Sequence, residues 1–123
     1  LSMSAFVMDY DHNAPSAEHL RSTHLPMYKR IREKNPDLPY VMISRPDFIR
    51  SPLNSIARRN VILDTYRYAL EQGDKNVYFI DGESFFKGEW EDCCTVDGTH
   101  PNDLGFRFMA EGIGNTLGKL KIR

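Results

Sequence analysis

The segment Asp97-Gly-Thr-His-Pro-Asn102 holds the residues of this sequence that are best suited to chemistry. An aspartate three residues before a histidine, on a tight turn that contains glycine, can fold back and accept a hydrogen bond from the imidazole Nδ1–H. This contact orients the ring and stabilises its charged form, as a general base requires. The same Asp-x-x-His pattern also occurs in structural turns that precede a surface histidine, so the surrounding elements have to be considered.

Three short apolar runs in the sequence predict buried strands, and an amphipathic stretch follows each of them. The predicted strands are residues 5–10, 40–44 and 77–80, and the predicted helices cover about 17–34, about 55–72 and the residues from Pro101 onward. Strands that alternate with helices favour a parallel sheet joined by right-handed crossovers. Because ligands bind beyond the carboxyl ends of such strands, the loops that follow them should lie near the Asp-x-x-His turn.

Each predicted helix has an apolar stripe that should face the sheet. Ser16 can cap the first helix, and Pro26 within it should kink or break it. Pro101 is expected to open the third helix, where proline is tolerated in the first turn. The expected core positions are Leu20, His24, Met27 and Ile31, then Ile56, Ile62, Tyr66, Ala69 and Leu70, and finally Phe106, Met109, Ala110, Ile113 and Leu117.

Length and composition are those of one globular domain. The chain has 123 residues, of which 41% are hydrophobic and 27% are charged, with a formal net charge of -1. This balance gives no electrostatic reason to expect a nucleic acid or an anionic membrane surface as partner. No apolar run reaches the roughly 18 residues of a membrane span, and the opening residues lack the apolar stretch of a signal peptide. The sequence does not decide the compartment.

The sequence offers no convincing metal site. Cys93 and Cys94 are adjacent, which disfavours a disulfide between them, and they are expected to be reduced thiols in a loop. The start of the Asp9-x-Asp-x-Asn13 segment is like an EF-hand loop, but the next position is Ala14 instead of glycine. His24 falls on an apolar stripe and is expected to be a hydrogen-bonded core histidine. We therefore expect no metal and no cofactor.

The wider context of the Asp-x-x-His turn resembles the SGNH hydrolases, also called GDSL esterases and lipases. The run Asp97-Gly-Thr-His-Pro-Asn-Asp-Leu-Gly105, which leads into an amphipathic helix, is similar to the last motif block of that family. The segment Asp9-Tyr-Asp-His-Asn13 follows a buried strand, where the family places its motif asparagine. The segment 40–46 looks like the strand and exit loop that come next in many members. The order of these elements matches over essentially the whole chain.

This resemblance implies a flavodoxin-like, three-layer α/β/α fold with a parallel sheet, here about three strand–helix units. It also implies an ester hydrolase, an esterase, lipase or acylhydrolase that transfers an acyl group to water through an acyl-serine. His100 would be the general base and then the acid, Asp97 would orient it, and Asn13 would donate its side-chain NH2 to the oxyanion hole. The expected partner is a small-molecule ester, with acylated carbohydrates among the candidates.

Arg45 leaves the second predicted strand beside Asn13, so it could line the site and bind substrate. An ion pair with Asp47 or Asp81 is an equally weighted alternative for this arginine. Ser44, at the end of the same strand, is the best local candidate for a nucleophile. A serine in such a place more often caps backbone groups of the loop, and we favour that interpretation.

The sequence also departs from the family pattern. Asp11 stands where the third motif block normally has a glycine. The first block, Gly-Asp-Ser with the nucleophile, and the second block, whose glycine N–H joins the oxyanion hole, are missing from residues 1–123, and no G-x-S-x-G elbow replaces them. The chain is therefore expected to be a single domain, residues 1–123, that forms the carboxyl-terminal portion of an SGNH hydrolase domain and is inactive alone.

The missing motif blocks bear on both the function and the assembly of the chain. A non-catalytic α/β module that keeps the scaffold and binds a small ligand is the alternative function, and a serine within reach of His100 Nε2 would discriminate between the two. The first strand, residues 5–10, would become an exposed edge, which invites pairing with another chain. We expect self-association or pairing with a missing amino-terminal segment.

Overall fold

A parallel three-stranded sheet with helices on both faces forms the fold. The computed structural model describes residues 3–120. Its strands are β1 (Phe6–Met8), β2 (Tyr40–Ile43) and β3 (Val77–Ile80), and its helices are α1 (Ala17–Lys34), α2 (Pro52–Glu71), the single-turn α3 (Glu83–Phe86) and α4 (Asp103–Leu117). Two short 3-10 turns, Asp11–Asn13 and Glu91–Cys93, lie in the connecting loops.

β2 is the central strand of the described sheet, whose order is β1-β2-β3. It pairs in parallel with both neighbours, so that Val41 lies opposite Val7 on one side and Tyr78 on the other. Because helices cover both faces of the sheet, β2 is apolar along its whole length and fully buried. β1 and β3 are the two edges of the part of the sheet that the structure describes.

Side chains of β2 alternate between two hydrophobic cores, as the pleat of a strand requires. Tyr40 and Met42 pack in the core that α1 and α2 form with one face of the sheet. Val41 and Ile43 pack in the core formed with α3 and α4 on the other face. The predicted α/β class, with a parallel sheet between two helical layers, is therefore confirmed.

The first and last helices differ from expectation at their prolines. The break expected at Pro26 does not occur, because both halves of α1 pack on the same core and this packing outweighs the one backbone hydrogen bond that proline removes. α4 begins at Asp103 and not at Pro101. Asn102 caps it by accepting a hydrogen bond from Gly105 N–H at 3.1 Å, while Pro101 forms an isolated bridge with Thr95.

Several expected core positions are also wrong, since Met27, Ile56, Leu70, Phe106 and Ala110 are exposed. The reason is clearest in α2. Its buried positions, Ser55, Arg58, Val61, Ile62, Thr65 and Ala69, follow helical spacing but include three polar residues. Polar residues are normally expected on the surface, so the buried stripe was predicted one position away, at apolar residues such as Ile56 and Leu70.

A partly buried ion pair lies at the amino end of the strands. Arg32 Nε donates to Asp74 Oδ2 at 2.9 Å, and Arg32 Nη1 donates to the carbonyl oxygen of Leu38, two residues before β2, at 2.6 Å. These contacts join the end of α1 to the loops that enter β2 and β3. Within residues 3–120, no helix has both the length and the apolar composition needed to cross a membrane.

Candidate active site

Polar side chains gather at the carboxyl edge of the sheet. The Asp11–Asn13 turn follows β1, residues 44–50 follow β2, and residues 81–84 follow β3. The segment 95–102, which precedes α4, reaches the same edge through a hydrogen bond from Arg50 to Asp97. This edge is where open parallel sheets bind their ligands.

Asp97 and His100 form a hydrogen-bonded pair in which His100 Nδ1 lies 2.6 Å from Asp97 Oδ2. The other carboxylate oxygen, Oδ1, accepts hydrogen bonds from the backbone N–H groups of His100 at 2.8 Å and Thr99 at 2.9 Å. These hydrogen bonds, with the backbone one from His100 first, lower the pKa of Asp97 from 3.8 to about 2. Because an ionised carboxylate can only accept, Nδ1 carries a proton, which in the neutral imidazole leaves the lone pair on Nε2.

The turn that carries this pair depends on a glycine. Gly98 has a φ of +81°, in the left-handed region that side chains disfavour. Its N–H donates to Thr95 Oγ1 at 3.0 Å, and Val96 N–H donates to the carbonyl oxygen of His100 at 2.9 Å. The imidazole of His100 is left three-quarters exposed, with a side-chain exposure of 75%. A reacting group therefore has access to Nε2.

Asn13 ends the 3-10 turn that follows β1, and its side chain is exposed. Its backbone N–H donates to the carbonyl oxygen of Tyr10 at 3.0 Å. The side-chain amide makes no hydrogen bond to another residue within 3–120, so its NH2 is available to a ligand at the carboxyl edge. The role of Asn13 as an oxyanion donor stays a prediction.

A buried ion pair lies beneath the Asn13 turn. Asp11 is fully buried, and its Oδ1 accepts from Arg58 Nε at 2.7 Å while its Oδ2 accepts from the backbone N–H of Arg45 at 2.9 Å. Sequence reasoning noted Asp11 only as a departure from the family's glycine and missed Arg58. The signal was present in the helical spacing of Ser55, Arg58 and Thr65, which places polar residues on one face of α2.

Arg45 is only 8% exposed, and its guanidinium faces α2. Its Nε and Nη2 donate to Ser55 Oγ at 3.0 and 2.7 Å. The alternative of an ion pair with Asp47 or Asp81 was wrong, since among the described residues Asp81 pairs with Arg59 Nη1 at 2.8 Å. Ser55, in the first turn of α2, lies beside the exit of β2, so the guanidinium bonds to its hydroxyl and to neither carboxylate. Substrate binding by Arg45 stays a prediction.

Ser44 is fully buried and engaged with the loop that leaves β3. Its Oγ accepts from Gly82 N–H at 2.9 Å and lies 3.4 Å from Asp81 Oδ1. The favoured interpretation of Ser44, as a cap for backbone groups of the loop, is confirmed. In the part of the chain that the structure describes, no serine hydroxyl forms a hydrogen bond with His100.

His12, next to Asn13, is a half-buried histidine with a lowered pKa. Desolvation lowers the pKa most, and the positive charge of Arg45 adds to the effect. Its Nε2 is buried and finds no hydrogen-bond partner within residues 3–120. Burial therefore favours the neutral form of this imidazole.

A cavity of about 110 Å³ lies between the exit loop of β2 and the turn that carries the Asp97–His100 pair. Its lining combines the aromatic side chains of Phe48 and Phe86 with three charged residues, Arg50, Glu91 and Asp92. Gly98, between the members of the pair, also lines it. A small apolar group next to polar substituents would fit such a cavity.

The histidine and cysteine expectations can also be compared with the structure. His24 is buried and its Nδ1 lies 2.9 Å from Thr65 Oγ1, which confirms a hydrogen-bonded core histidine. Cys93 and Cys94 are free thiols, one exposed and one buried. Within residues 3–120, no group of three or more histidine, cysteine or acidic side chains could hold a metal ion.

A known protein family matches most of this chain. The model of a family described as the GDSL-like lipase/acylhydrolase family matches residues 1–117. The chain is similar to the crystal structure of a GDSL-like lipase from Bacteroides ovatus, with 30% identity and a TM-score of 0.82, covering 100% of this chain and 38% of that one. No curated protein sequence matches.

A second solved structure, the salicylyl-acyltransferase SsfX3 from a tetracycline biosynthetic pathway, has 20% identity and a TM-score of 0.74. That match covers 100% of this chain and 40% of the other, and at this identity it shows the likeness of the fold alone. The present chain thus spans less than half the length of either protein.

Proposed function

The chain belongs to the GDSL-like lipase/acylhydrolase family, and on that premise we propose that it supplies the base, its orienting carboxylate and an oxyanion donor to an ester-hydrolysing site. Membership of the family supports a function of the hydrolase or acyltransferase type. The main support for the proposed roles of His100 and Asp97 is the 2.6 Å hydrogen bond between His100 Nδ1 and Asp97 Oδ2 at the carboxyl edge of the sheet.

The proposed reaction passes through an acyl-serine. His100 Nε2 removes the proton from the serine hydroxyl while the serine oxygen attacks the ester carbonyl carbon. The imidazolium, stabilised by Asp97, then gives that proton to the departing alkoxide. In the second half, His100 deprotonates a water molecule that attacks the acyl-serine, and returns the proton to the serine oxygen as the carboxylic acid leaves.

Asn13 is proposed to stabilise the tetrahedral intermediates of both halves. Its side-chain NH2 would donate a hydrogen bond to the negative carbonyl oxygen, which contributes about 3 kcal/mol when the donor is well placed. The exposed amide, free of contacts to other described residues, supports this role. Arg45 is proposed to act in substrate binding only through the backbone and Ser55 contacts that shape the same edge, since its guanidinium is buried.

The nucleophile is proposed to lie outside residues 1–123. The sequence has no Gly-Asp-Ser block, and Ser44 is buried with its hydroxyl engaged. A serine from a segment that precedes this chain in a longer protein would complete the triad. The substrate class that we propose is a small ester. Acylated carbohydrates are candidates to assay, because Glu91 and Asp92 beside the cavity can accept hydrogen bonds from sugar hydroxyl groups.

The deciding experiment compares the 123-residue chain with the longest protein that its gene encodes, using p-nitrophenyl acetate and a fluorophosphonate probe for an activated serine. We expect turnover and labelling in the longer protein alone. There, His100→Ala and Asp97→Asn should abolish turnover, whereas His19→Ala, at an exposed histidine of α1, should not. Turnover that survives His100→Ala would refute the assigned roles.

Turnover by the 123-residue chain, lost on His100→Ala, would instead show that a serine of this chain is the nucleophile. A non-catalytic binding module is the second candidate function, favoured by the observation that no serine of residues 3–120 hydrogen-bonds His100. It predicts that neither protein turns over esters, while a small ligand added to the 123-residue chain raises its melting temperature.

A further inference from the structure

Arg58 makes hydrogen bonds to both ends of the turn that carries Asn13. This side chain projects from α2 and is 3% exposed. Its Nη2 donates to the carbonyl oxygen of Asp11 and, at 2.6 Å, to the carbonyl oxygen of Ala14. Asp11 and Ala14 bracket His12 and Asn13, so one guanidinium fixes the two places where the turn begins and ends.

The carboxylate of Asp11 connects the turn to two other parts of the chain. Its Oδ1 accepts from Arg58 Nε at 2.7 Å, and its Oδ2 accepts from Arg45 N–H at 2.9 Å. Arg45 is the second residue after β2, the central strand, so this contact ties the turn to the middle of the sheet. The backbone around Asn13 is thereby held from α2 and from β2 at once.

Stability alone is a poor account of this ion pair. Removing two charges from water is costly, and a buried pair is often no more stabilising than apolar residues of similar volume. The pair does, however, make hydrogen bonds at both ends of the turn, while the amide of Asn13 stays exposed and unbonded within residues 3–120. A donor that is fixed before the ligand arrives costs no reorganisation during the reaction.

We propose that Arg58 and Asp11 are positioning residues for Asn13, which fix the direction of its side-chain amide at the carboxyl edge of the sheet. The catalytic meaning of this positioning rests on the proposed function of Asn13, but the positioning itself does not. It also explains why Asp11 can occupy the place of the family's glycine: its carboxylate has a dedicated guanidinium partner in α2.

Amide hydrogen exchange on the 123-residue chain tests the positioning directly. We expect Arg58→Lys and Asp11→Asn to speed exchange of the Asn13 and Ala14 amides about tenfold more than exchange in β2, because the turn then opens locally. The NMR signals of the Asn13 side-chain NH2 should also shift and broaden. Both backbone amides donate to the carbonyl oxygen of Tyr10, so they report on the closed turn.

Asp74→Asn is the matched control, since Asp74 forms a partly buried ion pair with Arg32 at the amino end of the strands. It should lower stability without a selective effect on residues 11–14. If Arg58→Lys does not fold, Asp11→Asn alone decides, because it preserves the shape of the side chain. Unchanged protection of Asn13 and Ala14 in a folded variant would overturn the proposal.

Kinetics in an ester-hydrolysing longer protein separate this proposal from the proposed function. There, Arg58→Lys should lower kcat and leave KM nearly unchanged, and its effect should vanish in an Asn13→Ala background. If Asn13→Ala leaves kcat unchanged while Arg58→Lys opens the turn, the oxyanion role fails and the positioning stands. If Asn13→Ala lowers kcat while the Arg58→Lys turn stays protected, the positioning fails and the oxyanion role stands.

Discussion

Arg50 Nη1 donates a 2.7 Å hydrogen bond to the backbone carbonyl oxygen of Asp97. Among the described residues, it is the one hydrogen bond that joins the turn of residues 95–101 to a part of the chain outside residues 93–105. Arg50 belongs to the loop after β2, so this contact holds the Asp97–His100 pair at the carboxyl edge. The side chain also covers Gly98, where an added Cβ would lie 3.0 Å from Arg50 Cδ.

Replacing Arg50 by alanine should loosen the turn and weaken the hydrogen bonds to the Asp97 carboxylate. The pKa of Asp97, about 2 because the backbone N–H and the imidazole of His100 both donate to it, should then rise toward 3.8. Carbon-13 NMR titration of the side-chain carboxyl measures this change. Arg107→Ala, which breaks an exposed ion pair with Glu111 on α4, is the control and should leave the Asp97 titration unchanged.

His24 should make the stability of the chain depend on pH. Burial lowers its pKa from 6.5 to about 4, so in this range the unfolded chain binds a proton that the folded chain does not. The contribution of the neutral histidine is therefore present above pH 6.5 and is lost as the pH falls from 6.5 toward 4. That shift corresponds to about 3 kcal/mol of unfolding free energy.

Urea unfolding at pH 7.5 and pH 5 measures this dependence. His24→Gln, which can still hydrogen-bond Thr65, should reduce the loss of stability between the two pH values. His19→Gln removes an exposed histidine of the same helix and should not. Equal pH dependence in the wild type and the His24→Gln variant would contradict the assignment to His24.

Local signals in the sequence were sufficient for much of the fold. The observed bounds of α1, Ala17–Lys34, and of β3, Val77–Ile80, agree with those predicted, because Ser16 caps the helix and short apolar runs mark the strands. The Asp97–His100 hydrogen bond was also predictable. Its two members lie three residues apart on one turn, so local geometry alone brings them together.

The contacts that position the site were not predictable in this way. Arg58 is buried because its partner, Asp11, comes from a loop 47 residues away in the chain. Arg50 likewise meets Asp97 across 47 residues. Patterns of hydrophobicity assign a charged residue to the surface, and only the tertiary fold supplies the partner that allows it inside. Ile56 was expected in the core for the same reason, since its pattern did not show that the polar face of α2 with Ser55 and Arg58 is the buried one.

Gly82→Ala should be strongly destabilising. An added Cβ would lie 1.8 Å from the carbonyl oxygen of Ser44, so the exits of β2 and β3 would have to move apart. We expect a loss of about 3 kcal/mol or more, since the clash is with backbone that cannot rotate away. Thermal unfolding followed by circular dichroism measures the loss.

Gly114→Ala in α4 is the matched control for Gly82→Ala. No heavy atom lies within 4 Å of the added Cβ there, and the position is inside a helix. Alanine should therefore stabilise the chain by roughly 0.5 to 1 kcal/mol. A Gly82→Ala variant that melts at the wild-type temperature would show that the two exit loops separate without cost.

β1 is an edge of the described sheet, and we expect its free side to pair with another strand, from a second copy or from an amino-terminal segment. Phe6 N–H donates to the carbonyl oxygen of Pro39 toward β2, so the alternation of the strand directs Val7 N–H to the free side.

Light scattering should show association of the 123-residue chain as its concentration rises, with slower exchange of the Val7 amide. Val7→Pro should abolish the association and spare the bonds to β2, because proline removes only the outward donor. A chain that stays monomeric at high concentration, with a Val7 amide exchanging at an unprotected rate, would contradict this expectation.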